Sequence, residues 1–321
     1  MRFVVFGAGG VGGVVGGRLS QHGHDVTLVA RGEHLTAVQA DGLRLESPDD
    51  SVTLDVPAVA SAADIDWGPD HVCLLTVKSQ DTDAALNALA AAAPPELPIA
   101  CVQNGVDNER RTLRRFANVY SVCVMLPSTF LRPGVVQASS APMTGALNVG
   151  RYPLGIDELT NDLAAAFSGA TFLSDPDDRV MDQKYAKLLM NLGNAVEALC
   201  GTVDRDSELL RRARREAVAV LDAAGIVVAP KGHDAEQRRH ISIRPIGGER
   251  RGGGSTWQSL ARSASSVETD HLNGEIVLLG RLHGVPTPAN ALLQRMAAKF
   301  VRQRRPPGSV SESELAAMLR E

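Results

Sequence analysis

Phe3-Val4-Val5-Phe6 runs directly into Gly7-Ala8-Gly9-Gly10-Val11-Gly12, so an apolar run of strand length meets a glycine turn within the first twelve residues. A helical stretch from Val14 to Gln21 follows, and a second apolar run, Val26-Thr27-Leu28-Val29-Ala30, stops at Arg31. Glycine-rich turns that serve only packing are common. The strand before this turn and the helix and strand after it make the segment a βαβ unit with the G-x-G-x-x-G pattern of dinucleotide binding. Each glycine then has its own task. Gly7 permits the tight turn, Gly9 lets a pyrophosphate approach the backbone, and Gly12 lets helix and strand pack closely. The first amides of the helix have no partner within it, and they carry a partial positive charge suited to phosphates. Gly7, Ala8, Gly9, Gly10, Val11 and Gly12 are therefore candidate cofactor-binding residues.

The end of the second strand bears on which dinucleotide is held. An NAD site usually carries Asp or Glu there, to accept from the ribose 2′-OH. Here Asp25 stands at the strand's start and Arg31 at its end. A guanidinium in that place is suited to a 2′-phosphate. The plainer alternative is an ordinary surface arginine. The expected cofactor is NADP, bound as NADPH.

Further along, His71 to Val77 is a nearly continuous apolar run that stops at Lys78, and Pro98 to Val102 is another that stops at Gln103-Asn104-Gly105. Such runs fit strands buried on both faces of a parallel sheet. Ligands of doubly wound sheets lie beyond the carboxyl ends of the strands, where Lys78 and Asn104 fall. A loop lysine and an Asn-Gly turn would each be unremarkable singly. At equivalent positions on successive strands they favour a shared ligand. Leu43 to Leu45 and Val52 to Val56 alternate around Ser47-Pro48-Asp49-Asp50 as a hairpin does, and Val135 to Gln137 and Gly145 to Gly150 read as added strands. Past Ser174-Asp175-Pro176-Asp177-Asp178 the strand patterns vanish, and four stretches show helical periodicity. The expected fold is an α/β N-terminal domain, a Rossmann-type doubly wound sheet over 1–177, followed by an all-α C-terminal domain over 178–321. A chain of 321 residues suits two domains. Arg238 to Gly254 is basic and glycine-rich and reads as a mobile loop; Thr287-Pro288 and Ser311-x-x-Glu314 read as helix starts.

The net charge of −4 argues against a nucleic-acid role. Local basic pairs such as Arg238-Arg239 and Arg250-Arg251 are interleaved with acids or lie in the glycine-rich loop. Cys73, Cys101, Cys123 and Cys200 are widely spaced and suggest neither a disulfide framework nor a metal site. The N-terminus is itself a strand, and no apolar run is long enough for a bilayer. The expectation is a cytoplasmic protein with no membrane partner.

One helical stretch carries a polar stripe. Lys184, Lys187, Asn191 and Asn194 are spaced by three, four and three residues between Val180 and Leu199, which puts them on one helix face. Leu188, Leu192, Val196 and Leu199 flank them. A polar wall facing a cavity is one reading; an exposed face with snorkelling lysines is the other. Ser255 and Glu268 stand further on, and without context each reads as structural, Glu268 as an acidic residue opening a helix.

Taken together these segments resemble the ketopantoate reductases over nearly the whole chain. The resemblance rests on Gly7-x-Gly9-x-x-Gly12 with Arg31, on Thr76-Val77-Lys78, on Gln103-Asn104-Gly105, and on Lys187-Leu188-x-x-Asn191. It continues in Ser255-x-x-Gln258 and Glu268-Thr269-Asp270-x-x-Asn273-Gly274. It implies an N-terminal Rossmann domain, a helical second domain, and NADPH-dependent reduction of a branched 2-oxo acid, 2-dehydropantoate. By the same resemblance Lys187 is the general acid and Glu268 its supporting carboxylate. Ser255, Asn104 and Asn191 bind substrate, Lys78 and Asn104 contact the nicotinamide, and Arg31 holds the 2′-phosphate; Asn194, from the polar stripe, is a further candidate for binding substrate. Oligomeric state stays open, with a homodimer as one candidate.

Three departures touch the substrate side. Ala195 stands where the family pattern has an asparagine, with Asn194 one residue early; Gly252 replaces another asparagine; and the segment from Gln258 to Glu268 is one residue longer. A helix turns about 100° per residue, so Asn194 replaces the missing amide only with a local irregularity. Reduction of a different 2-oxo or 3-oxo acid is therefore a rival reading, and a non-catalytic NADP sensor is another. Retention of Lys187 with Glu268 counts against the sensor.

Overall fold

The computed structural model describes residues 1–201, 207–249 and 251–319, with the backbone alone at 131. Arg250, half of one basic pair noted above, lies outside them. The chain packs as two compact units, Met1–Lys184 with Gly232–Arg251, and Tyr185–Lys231 with Gly252–Glu321. The units are not contiguous in sequence, because 232–251 returns to the first.

The first unit holds β1 (Arg2–Phe6), α1 (Gly10–Gln21), β2 (Asp25–Val29), α2 (Gly32–Asp41), β3 (Leu43–Glu46), β4 (Ser51–Leu54), β5 (Ala58–Val59) and β6 (His71–Leu75). It continues with α3 (Thr82–Ala92), β7 (Ile99–Cys101), α4 (Asn108–Leu113), β8 (Val119–Met125), β9 (Ser128–Arg132), β10 (Val135–Ala138), β11 (Gly145–Arg151), α5 (Glu158–Gly169) and β12 (Phe172–Leu173). The main sheet runs β12-β11-β8-β7-β6-β1-β2-β5. From β5 to β8 every pairing is parallel, while β11 is antiparallel to β8.

The apolar runs build this sheet because alternate side chains feed two cores. Phe3 and Val5 pack with Leu28 and Leu74 on one face, while Val4 and Phe6 pack with Cys73 and Leu75 on the other. Each large side chain so buried stabilises the fold by about 1.5–3 kcal/mol. With both faces covered, no polar alternation is needed, and none is present in β1 or β6 beyond their first residues. The strand order reverses at β1, which has β2 on one side and β6 on the other. The turns after β1 and β6 therefore flank the switch point, where this class of sheet binds ligands.

The hairpin β3–β4 forms as read, pairing Leu43 with Leu54 and Leu45 with Val52. The added strands divide. β10 lies parallel to β3 and antiparallel to β9 in a second, four-stranded sheet, whereas β11 joins the main one.

Helix α6 (Val180–Asn191) begins in the first unit and continues into the second, followed by α7 (Gly193–Cys200) and α8 (Glu208–Ala223). The single helix expected from Val180 to Leu199 is thus interrupted at Leu192, whose carbonyl accepts from Asn273 Nδ2 at 3.4 Å. Helix α9 (Ala235–His240) belongs to the segment that packs with the first unit. Ile243 and Arg244, from the loop expected to be mobile, are also anchored there. Ile243 bridges Ser140, the Arg244 amide donates to Ser139 O at 2.8 Å, and the Arg244 guanidinium donates to Asp49 at 2.5 Å. Its composition resembles a disordered linker, but a strand edge and a distant carboxylate supply partners that local sequence does not show.

The second unit continues with α10 (Ser255–Ala261), α11 (Asn273–His283), α12 (Pro288–Gln303) and α13 (Glu312–Met318), and among the described residues it has no named strand. Its core gathers Val196, Leu199, Leu209, Leu293, Ala297 and Phe300. The Ser311–Glu314 capping box forms. Thr287 precedes Pro288 at the start of α12, but its hydroxyl makes no cap bond. The Glu216 carboxylate accepts from the Ala289 and Asn290 amides instead, at 2.8 and 3.0 Å. A carboxylate suits a helix N-terminus better than a neutral hydroxyl.

Candidate active site

The glycine turn shows which of its residues the protein itself requires to be small. Gly7 has φ 112°, and a Cβ there would lie 2.7 Å from Val77 Cγ1. At Gly12 a Cβ would fall closer than 3.0 Å to both Gly7 O and Thr76 Oγ1. Gly9 is different, since a Cβ there would meet nothing within 4 Å. Packing explains Gly7 and Gly12; at Gly9 it leaves an open face that a ligand could approach. Helix α1 starts at Gly10, with Gly9 as N-cap and no side chain capping it. Gly9 has no side chain with which to cap the first amides of α1, and with the helix dipole those amides suit a pyrophosphate. The residues present fit a dinucleotide. Thr76, which follows β6, donates through Oγ1 to Gly7 O at 2.8 Å and so ties the end of β6 to this turn.

Arg31 follows β2 as N-cap of α2, and its side chain is 85% exposed. Its guanidinium stands 3.7 Å from Asp81 Oδ1, a long and solvated pair of small energetic consequence. A ligand phosphate could displace that contact at little cost.

Lys78 and Asn104 occupy equivalent places. Leu75 pairs with Cys101 in the sheet, and each candidate lies three residues beyond its member of that pair. Their loops are stitched together. Gln103 Nε2 donates to Val77 O at 2.6 Å and to Thr82 Oγ1 at 2.9 Å. Asn108 Nδ2 donates to Ser79 Oγ at 3.1 Å and to Asn104 O at 3.0 Å. The backbone carrying both candidates is thus held by amide side chains that compositional reading passes over.

The polar stripe divides. Lys184 is buried and ion-paired with Glu109 of α4, and its ammonium also donates to Gln103 O at 3.1 Å. Lys184 therefore belongs to the interior of the first unit and does not join a polar wall. Lys187, Asn191 and Asn194 belong to the second unit. Lys187 is half-buried. Asn191 Nδ2 has no hydrogen-bond partner among the described residues.

Within that second unit Ser255 Oγ donates to Glu268 Oε2 at 3.0 Å, and Glu268 is 5% exposed. Glu268 does not open a long helix as expected. It starts a short 3-10 turn, Glu268–His271, and α11 begins only at Asn273. Beside this pair the Gly254 amide donates to Glu197 Oε2 at 2.9 Å, and a Cβ on Gly254 would sit 3.5 Å from Asn194 Oδ1. Asn194, Glu197, Ser255 and Glu268 therefore gather around the first turn of α10. Glu197 was not foreseen, although it lies three residues after Asn194 and so on the same helix face. Ala195 is buried in the apolar core of the unit. Trp257 fills the space over Gly252 and Gly253, where a Cβ would lie 2.9 and 2.6 Å from its ring.

Among the described residues no cluster of His, Cys, Asp and Glu could hold a metal, and no helix is long and apolar enough to cross a membrane. The family model for "Ketopantoate reductase PanE/ApbA" matches residues 3–153, and that for its C-terminal part matches residues 179–300. The 2-dehydropantoate 2-reductase of Halobacterium salinarum is 32% identical, over 90% of this chain and 95% of its own. The crystal structure of a PanE/ApbA family ketopantoate reductase from Ralstonia eutropha is 29% identical with a TM-score of 0.79, covering 95% of this chain and all (100%) of that one. A D-mandelate dehydrogenase solved with NADH and anilino(oxo)acetate shares the fold, at 20% identity and a TM-score of 0.80, over 95% of this chain and 99% of that one.

Proposed function

The chain belongs to the ketopantoate reductase family, and from that premise we propose that it reduces 2-dehydropantoate to pantoate with NADPH. The observation that carries the reading is the open backbone at Gly9 between two glycines that packing fills. The amides at the start of α1 would hold the pyrophosphate, Arg31 the 2′-phosphate, and Lys78 with Asn104 the nicotinamide end. The reduced nicotinamide, when bound, supplies a hydride to the ketone carbon.

Lys187 then does two things. Its ammonium stabilises the negative charge that develops on the substrate's carbonyl oxygen, and it donates a proton to that oxygen to give the hydroxyl. Proton transfer from a positioned group of this kind contributes about 10²–10⁴-fold in rate. Glu268 holds the Ser255 hydroxyl, which leaves that oxygen oriented to accept from a substrate hydroxyl or to face its carboxylate through bound water. Asn191 and Asn194 add amide groups for the substrate's polar atoms. The same reading places the enzyme in the cytoplasm and leaves room for a homodimer.

Purified protein mixed with NADPH and 2-dehydropantoate should lose NADPH absorbance in proportion to substrate added. Absence of turnover with that acid, alongside turnover of another, would replace the substrate and keep the chemistry. A specific observation favours that second reading. Trp257 packs against Gly252 and Gly253, and Ala195 is enclosed in the core, so neither position of the family's two asparagines offers an amide to a substrate. A 2-oxo acid with fewer hydroxyl groups than 2-dehydropantoate is its expected substrate, and a panel of branched and aromatic 2-oxo acids decides between the two.

A further inference from the structure

His34 lies in α2, three residues after Arg31, and is 8% exposed. Both of its ring nitrogens are engaged by backbone of the first unit. The Gly134 amide donates to Nδ1 at 2.9 Å, so Nδ1 is the nitrogen without a hydrogen. Nε2 must then carry the proton, and it donates to Ala8 O at 2.7 Å. Burial lowers the imidazole's pKa from its ordinary 6.5, which favours this neutral form. The Phe130 ring, 4.7 Å away between centroids, meets the imidazole at a steep angle and fixes its plane.

Ala8 is the residue between the first two glycines of the G-x-G-x-x-G turn. The peptide that joins it to Gly9 is held at both ends. Its carbonyl accepts from His34, and its amide, Gly9 N–H, donates to Gly7 O at 2.8 Å. That peptide plane sets the direction in which the chain enters α1. Its rotation would turn the Gly9 backbone away from its open face and re-aim the amides at the helix start.

We propose that His34 is a positioning residue of the cofactor site, fixing the Ala8–Gly9 peptide so that the first amides of α1 meet the dinucleotide phosphates. The inference rests on the reading of the glycine turn as the cofactor site. It names a residue outside the fingerprint, and it separates the two bonds of one side chain by function. The Ala8 bond serves the cofactor, and the Gly134 bond serves the attachment of α2 to the β9–β10 turn.

Two substitutions divide those bonds. In His34→Gln the side-chain amide nitrogen lies about as far out as Nε2 and keeps a donor for Ala8 O. In His34→Asn the carbonyl oxygen stands in for Nδ1 and keeps an acceptor for the Gly134 amide. NADPH affinity is measured by fluorescence titration, with melting temperature and steady-state kinetics alongside. His34→Asn should weaken NADPH by about three- to ten-fold, the range one net hydrogen bond spans. Its KM for NADPH should rise accordingly, with kcat at saturation within twofold of the parent. His34→Gln should bind NADPH within twofold of the parent, whatever its melting temperature. Equal weakening in both variants, tracking lost stability, would overturn the proposal in favour of a purely structural histidine; unchanged affinity in both would overturn it as well. Gly9→Ala serves as the control for the underlying reading. If Gly9→Ala weakens NADPH and the His34 variants do not separate, only the role of His34 falls. If Gly9→Ala binds normally, the cofactor site itself has been misplaced.

Discussion

Gly9→Ala and Gly12→Ala remove the same hydrogen atom from two glycines of one motif, and they should fail in opposite ways. At Gly9 the backbone has φ −75° and ψ −155°, a conformation open to alanine, and the new methyl meets no protein atom within 4 Å. Alanine is a poorer N-cap than glycine by about 0.5–1 kcal/mol. Loss of unfolded-state freedom returns about 0.4–1 kcal/mol. The two nearly cancel, and a residue of that size moves Tm by no more than about 2–4 °C. The cofactor has no such compensation. A methyl on the open face stands where the pyrophosphate would contact the turn, and each charge-assisted hydrogen bond lost is worth about 1.5–3 kcal/mol. NADPH affinity should fall by more than about tenfold.

Gly12→Ala is the mirror case. Its methyl would fall closer than 3.0 Å to Gly7 O and Thr76 Oγ1, atoms fixed by the sheet and by a mutual hydrogen bond. Overpacking of that kind costs about 1–3 kcal/mol, and the stability loss should be plain in a melt even without ligand. Thermal melts of the apo proteins paired with NADPH and NADH titrations read out both effects. Gly9→Ala should weaken the two cofactors equally, because they share the pyrophosphate. If Gly9→Ala kept NADPH affinity within twofold, the assignment of the open face to a ligand would be refuted.

Arg31→Ala should weaken NADPH about tenfold or more and leave NADH within twofold, as expected for loss of a charge-assisted contact to the 2′-phosphate alone; equal effects on both would dispose of that contact. Lys187→Ala should lower turnover by about 10²–10⁴-fold with NADPH affinity unchanged, and near-normal turnover would mean that another group donates the proton. Asp157 gives a pH-dependent test of the fold. Burial opposes its charge, but the Thr160 amide, the Tyr120 hydroxyl, Arg151 and the Thr160 hydroxyl overcome that and hold its carboxyl at about 2, below the ordinary 3.8. A depressed carboxylate stabilises the folded state above its unfolded pKa and loses that stabilisation as pH falls through the folded one. Denaturant melts should therefore find Asp157→Asn less stable than the parent by about 1–2 kcal/mol near pH 6, a linkage value reduced for partial solvation, with the gap closing between about pH 4 and pH 2.

The order of elements in the first unit was legible because buried parallel strands leave a simple trace. Phe3 to Phe6 and Val72 to Leu75 are apolar without alternation, and punctuation by Gly7 and Lys78 marks where each run reaches the sheet's edge. What escaped were choices made between distant segments. Nothing local to Val135–Ala138 says that it will leave the main sheet and lie parallel to Leu43–Glu46. The basic stretch around Arg244 likewise gives no sign that Ser139 and Asp49 will hold it. Thr287 carried a proper helix-start signal and was still displaced as a cap by Glu216, which lies 73 residues before Ala289. Local propensity names the position of a helix end; which group satisfies its amides is decided by packing.

The polar stripe shows the same limit within the candidate site. Periodicity rightly put Lys184 and Lys187 near one another, and it could say nothing of what each would meet. Lys184 meets Glu109, 75 residues earlier in the chain, together with the Gln103 carbonyl. Burying two charges is expensive, and a well-packed apolar pair would often be as stable. The ammonium's second bond gives the pair a physical use, since it holds the carbonyl of the residue before Asn104, while the Gln103 side chain holds Val77, the residue before Lys78. A hydrophobic replacement could fill that volume but could not grip a carbonyl. The same helix therefore carries one lysine whose charge is spent inside the fold and, one turn later, another for which chemistry with a substrate is proposed. Spacing alone treats the two as equivalent, and only the identity of the buried partner tells them apart.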